Sequence, residues 1–155
     1  MNTRISKVYE AYSALADKRV EKIDASCFLV TSSDYSKKYT VKRNGSLFSS
    51  NDNATLWQHY AGYPILSVLL REGEISYDRS ILPLLHGINW KKENREMKND
   101  YAKAIEHVLS SFSKEDREKI EKERNKTYLF VQGLPFIVKG NRAKILPAKK
   151  EERKA

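Results

Sequence analysis

The chain has 155 residues, 40% hydrophobic and 32% charged, which suits one globular domain and excludes a disordered chain. A single cysteine, Cys27, excludes an intramolecular disulfide and paired-thiolate zinc sites, so a reducing compartment is expected. The formal net charge of +9 favours polyanionic partners, and no stretch reaches the roughly 18 apolar residues of a membrane span.

Residues 4–23 begin the pattern. Ile5, Val8, Tyr9, Tyr12, Leu15, Val20 and Ile23 recur at three- and four-residue steps, predicting one core-packing helix. Arg4, Lys7 and Glu10 fall mainly on the other side, and no site is expected there. The run 27–31, Cys-Phe-Leu-Val-Thr, suits a buried strand. Residues 39–50 predict a hairpin turning at Asn44-Gly45, with Val41 opposite Phe48. In that register Tyr39, Val41 and Phe48 share one face.

Asp52 or Asn53 is expected to cap a helix carrying Leu56, Trp57 and Tyr60, broken near Gly62 before Pro64 opens an apolar helix. A helical turn at residues 81–85 should close at Gly87. Asn89 then caps one long helix whose stripe is Trp90, Met97, Tyr101, Ile105, Val108 and Phe112. Ser113 with Asp116 opens another, which Gly133 stops. Residues 136–146 predict a second hairpin turning at Gly140-Asn141.

The expected architecture is α+β. A small antiparallel sheet, made of hairpins near 39–50 and 136–146 plus a strand near 27–31, packs with about five helices. Residues 1–146 form the domain and 147–155 a disordered basic tail.

Residues 35–50 carry +4 and residues 136–155 carry +5, together the whole formal excess. Lysines on small hairpins can contact phosphates while a neighbouring ring stacks on a base. They equally protect strand edges from aggregation. The leading expectation is non-enzymatic binding of RNA or DNA with little sequence preference, through Lys37, Lys38, Tyr39, Lys42, Arg43, Lys139, Arg142 and Lys144. The acid-rich helix at 114–124 does not suit a recognition helix. The alternative is a protein-interaction or homo-oligomeric assembly module.

A third reading is a small-ligand enzyme built on a pocket of Trp57, His59, Tyr60 and Tyr63 at the helix break, with Asp52 and Tyr39 approaching if the hairpin packs over it. His59, His86 and His107 show no metal-ligand spacing, and no phosphate-cradling glycine loop occurs. Neither metal nor cofactor is expected, no catalytic residue is assigned, and the chain is expected to be cytoplasmic.

Overall fold

The computed structural model describes residues 1–148. Strands β1 (Val20–Asp24), β2 (Cys27–Thr31), β3 (Lys37–Asn44) and β4 (Leu47–Ser50) follow one another as antiparallel neighbours. Strand β5 (Ile137–Gly140) adds to β4 in parallel, and β6 (Leu146–Pro147) pairs with the first residues of β3. The chain is therefore α+β with a six-stranded mixed sheet, larger than the sequence suggested.

Helices α1 (Ile5–Ala16), α2 (Asn53–Trp57), α3 (Tyr63–Arg71), α4 (Trp90–Glu96), α5 (Tyr101–Leu109) and α6 (Lys114–Gln132) join a 3₁₀ helix at Arg79–Leu85. Among them α3 packs on β1, β3 and β4, while α1 packs on α3, α5, α6 and the 3₁₀ helix. Helix α1 is thus enclosed: all eight residues from Lys7 to Ala14 are buried. The core joins Phe28, Val30, Val41 and Phe48 of the sheet to Val8, Tyr12, Leu66 and Leu69. Trp90 closes the far side, donating its indole N–H to Ser13 Oγ at 2.8 Å.

The caps follow the sequence closely. Asp52 accepts from the Thr55 amide, Asp78 from Ser80, Asn89 from Lys92 and Ser113 from Asp116. Pro64 sits in the first turn of α3, where its missing N–H leaves no helical bond unmade.

The first predicted helix is shorter than its hydrophobic pattern. It stops at Ala16, Lys18 turns the chain with φ +54°, and Val20 and Ile23 belong to strand β1. Two apolar residues three apart continued the helical spacing by coincidence, and pairing of Val20 with Val30 decides for strand.

The first hairpin forms with a shifted turn. Asn44 pairs with Leu47, so the loop is Gly45-Ser46, and Gly45 takes φ +59° at the first loop position. Val41 then faces Ser50 and not Phe48. Because the partner strand slides by two residues, Tyr39, Val41 and Phe48 still share one face.

The second hairpin does not form. After β5 the chain keeps its direction, steps past the end of β4 and continues as β6 beside β3. Gly140-Asn141 is a sidestep, and Asn141 works through its side chain. Its Nδ2 donates to Thr40 O at 3.2 Å and Ser49 Oγ at 3.1 Å, and its Oδ1 accepts from the Ala143 amide. Asn51 Oδ1 accepts from the Thr40 amide at 2.8 Å. Two asparagine side chains thereby complete the β3 ladder in the gap between β4 and β6.

The expected tail from Pro147 is ordered at its start: Pro147 pairs with Lys37, and the Ala148 amide donates to Ser36 O. Residues 149–155 of that tail lie outside the described residues. No helix among the described residues is long and apolar enough to cross a membrane.

A polar cavity at the head of helix α3

The predicted long helix after Asn89 is instead two. Lys98 and Asn99 take φ +54° and +64°, and Asp100 caps α5 through the Lys103 amide. This bend swings α4 and the start of α5 toward α1, and the space between them is a cavity of about 180 Å³. Helix α1 lines it with Lys7 and Glu10, β3 with Tyr39, and the first turn of α2 with Asp52, Asn53 and Ala54. The segment joining α2 to α3 adds Gln58, Tyr60 and Tyr63, and the α4–α5 bend adds Lys91, Asn94, Asn99 and Tyr101.

The loop between β2 and β3 holds α4 against this space. Ser33 Oγ accepts from the Lys91 amide at 2.9 Å, and Lys91 Nζ lies 3.3 Å from Asp34. Asp34 in turn accepts from Ser32 and Ser36 hydroxyls, both at 2.7 Å.

Asp52 and Gly62 form the wall behind. The carboxylate accepts from Ser50 Oγ, Thr55 Oγ1 and the Thr55 amide, and Thr55 Oγ1 accepts from the Gly62 amide at 3.0 Å. A Cβ on residue 62 would fall 2.0 Å from Asp52 Oδ2, so this close approach requires glycine.

At the centre Lys7 Nζ donates to Glu10 Oε2 at 3.1 Å, with both side chains about nine-tenths buried. Burial pulls the Lys7 ammonium down, but Glu10 and the nearby tyrosine oxygens outweigh it and hold its pKa above the ordinary value. Burial raises the phenol of Tyr39 to about 12 and puts those of Tyr60 and Tyr63 above the usual range. The charges of Lys7 and Glu10 act on Tyr39 and Tyr60, and those of Arg19 and Glu10 on Tyr63.

Hydrogen-bonding capacity around this pair is left over. Among the described residues, the hydroxyls of Tyr39, Tyr60, Tyr63 and Tyr101 make no hydrogen bond to protein. Neither does the side-chain amide of Asn94, which is 9% exposed.

Of the pocket expected from the sequence, Tyr60 and Tyr63 line this cavity, joined by Asp52 and Tyr39, whose ring meets Tyr63 edge-on at 6.4 Å. Trp57 and His59 do not. His59 ends α2 in the left-handed conformation, φ +62°, and is exposed. Trp57 is 58% exposed with the Arg142 guanidinium 5.2 Å from its ring centroid. The short α2 carries them outward as the chain turns back for α3. Lys7, Glu10, Lys91, Asn94 and Tyr101 escaped the sequence reading. Asn99-Asp100, a left-handed turn residue before a capping residue, was the signal for the bend.

The residues expected to bind nucleic acid are dispersed. Tyr39 faces inward, away from any base that could stack on it. Arg43 also faces inward, where its guanidinium forms a double contact with Glu74 and lies 4.7 Å over the Phe48 ring. Lys38 lies 3.7 Å from Glu21, Lys37 sits opposite Pro147, and Arg142 and Lys144 are exposed on the segment after β5. Lys42 and Lys139 are exposed on the outer face in one cross-strand row, Cys27–Lys42–Ser49–Lys139. Among the described residues no group of three or more His, Cys, Asp or Glu side chains could hold a metal ion.

A family model described as "Uncharacterised conserved protein UCP014422" matches residues 1–136. The chain belongs to this family. The match takes in every residue that lines the cavity and stops before β5. No curated protein and no solved structure matches the chain.

Proposed function

We propose that the chain is a small-ligand-binding domain and that the cavity between α1, α3 and the α4–α5 bend is its site. The observation that carries this reading is the set of unpartnered polar groups around a buried ion pair: four tyrosine hydroxyls and the Asn94 amide. These groups open onto the cavity with hydrogen-bonding capacity to spare, and a concave site where several polar groups converge is suited to a polar occupant. The reading is binding, with no reaction assigned.

The test is a screen of small polar fragments by nuclear magnetic resonance on the labelled protein. The Asn94 and Gln58 side-chain amides serve as reporters. Hits that shift both reporters saturably are expected. A folded protein whose two reporters ignore every fragment ends the proposal.

A second reading keeps nucleic acid, on the outer sheet face. Ser26, Lys42, Asn44, Leu47, Ser49 and Lys139, with part of the inward-facing Arg43, line a shallow hollow of about 370 Å³ whose lining includes no acid. Two lysines of one row in an acid-free hollow can follow a phosphate backbone without reading its bases. Binding should then weaken steeply with salt, and Lys42→Glu with Lys139→Glu should lower it at least tenfold. Absence of RNA and DNA binding at low salt removes this reading.

A further inference from the structure

The charges that line the cavity cancel, with Lys7 and Lys91 against Glu10 and Asp52. A ligand of net charge would add an uncompensated ion to a partly buried site, which is costly. Two of the four rings already hold a resident cation: the Arg4 guanidinium lies 4.5 Å over the Tyr60 ring, and the Lys7 ammonium 4.5 Å over the Tyr101 ring.

What remains unused is of both kinds. Glu10 keeps Oε1 as a free acceptor, while Lys7 and Asn94 keep N–H groups. Beside the cavity lies a second hollow of about 550 Å³, which shares Gln58, Tyr60 and Tyr101 with it. Ile5, Ala102 and Ile105 make this neighbour apolar.

Resting on the reading of the cavity as a ligand site, we infer that it takes a free zwitterionic amino acid with an apolar side chain. The carboxylate meets Lys7 and Asn94, the ammonium meets Glu10 Oε1, and the side chain passes Tyr60 and Tyr101 onto the Ile5–Ile105 shelf. Such a ligand is neutral overall yet presents each member of the Lys7–Glu10 pair with an opposite charge. The phenols of Tyr39 and Tyr60 are protonated at neutral pH, as any tyrosine is, so both can donate to the carboxylate.

The experiment titrates the labelled chain with leucine, glycine, leucinamide, N-acetylleucine and glycerol, following the Asn94 side-chain amide. Leucine should saturate the shift. Leucinamide and N-acetylleucine, each lacking one charge, should bind at least tenfold more weakly, and glycine should lose about as much through the missing side chain. Either blocked form binding within threefold of leucine overturns the zwitterion and leaves the cavity a ligand site. Glycerol shifting Asn94 while leucine does not has the same consequence. Glycine matching leucine overturns the shelf. Silence to all five overturns the inference, and the fragment screen then decides the cavity separately.

The double variant Lys7→Met with Glu10→Gln removes the pair without stranding either charge. At an unchanged unfolding midpoint it should lose leucine binding at least tenfold, and unchanged binding overturns the inference. Asn94→Asp, which sets a carboxylate against that of the ligand, gives an independent arm with the same expectation if the double variant does not fold.

Discussion

Replacing Gly62 with alanine should destabilise the fold by evicting Asp52, and the size of the effect can be worked from the contacts. Residue 62 has φ −77°, which alanine adopts freely, so the backbone carries no penalty. The added Cβ, however, lies 2.0 Å from Asp52 Oδ2 and 2.8 Å from Cγ. Relief needs a carboxylate movement of more than about 1 Å, which breaks its bonds from Ser50 Oγ at 2.5 Å, Thr55 Oγ1 at 2.8 Å and the Thr55 amide at 3.2 Å. Loss of the N-cap costs about 1 kcal/mol, and two hydroxyl bonds to a buried carboxylate bring the total to about 3 kcal/mol.

Asp52→Ala forfeits the same three bonds and should cost a similar amount. The decisive measurement is the cycle. Alanine at position 52 removes the atoms that the new Cβ would strike, so the double variant should cost about 3 kcal/mol, not about 6. Urea denaturation followed by fluorescence of buried Trp90 reads this as a midpoint lowered by about 1.5 M, taking a slope of about 2 kcal/mol/M. Additive costs, or a Gly62→Ala penalty under about 1 kcal/mol, would refute the account of this wall.

Asn51→Ala should expose the Thr40 amide to hydrogen exchange at least a hundredfold faster while the Phe28–Val41 pairing stays protected; equal protection at Thr40 refutes the side-chain patch in the ladder. Trp90→Phe should cost about 3 kcal/mol, because it trims a buried ring and strands the Ser13 hydroxyl, and a cost below about 1 kcal/mol contradicts that packing. Stability should hold up to about pH 10 and fall between pH 10 and 12. The unfolded chain releases its phenolic protons near 10 while burial keeps Tyr39 protonated to about 12, so the native state binds more protons in that window and rising pH favours unfolding. Urea midpoints that do not change from pH 9 to 11.5 would contradict this.

Local signals carried well into the structure and non-local ones did not. Each cap expected at Asp52, Asn89 and Ser113 is a side chain reaching an amide three residues ahead, and that geometry is contained in the sequence around it. The face of the first hairpin survived an error in its turn, because a two-residue slide leaves the alternation intact. The helix break before Pro64, also a local signal, brings Tyr60 and Tyr63 to the cavity wall.

Lys7 and Glu10 were placed on the outside of α1 by a pattern that assumes one apolar face. In the fold this helix is enclosed by four other helical elements and the cavity, so its polar side is interior as well. Nothing in residues 5–16 announces that. The parallel pairing of β5 with β4 is equally non-local, since Gly140-Asn141 resembles a turn until Thr40 and Ser49 are there to bind the asparagine.

The sidestep from β5 to β6 has a consequence for the order in which the molecule can be finished. Strand β3 lies in the middle of the sheet, yet part of its edge waits for a side chain about a hundred positions later, at Asn141, and for Leu146 and Pro147 beyond it. During synthesis from the N-terminus, β1 to β4 can pair as soon as they emerge, while the open stretch of β3 stays exposed until nearly the whole described chain has been made. A sheet begun before residue 50 is closed by Asn141, Leu146 and Pro147.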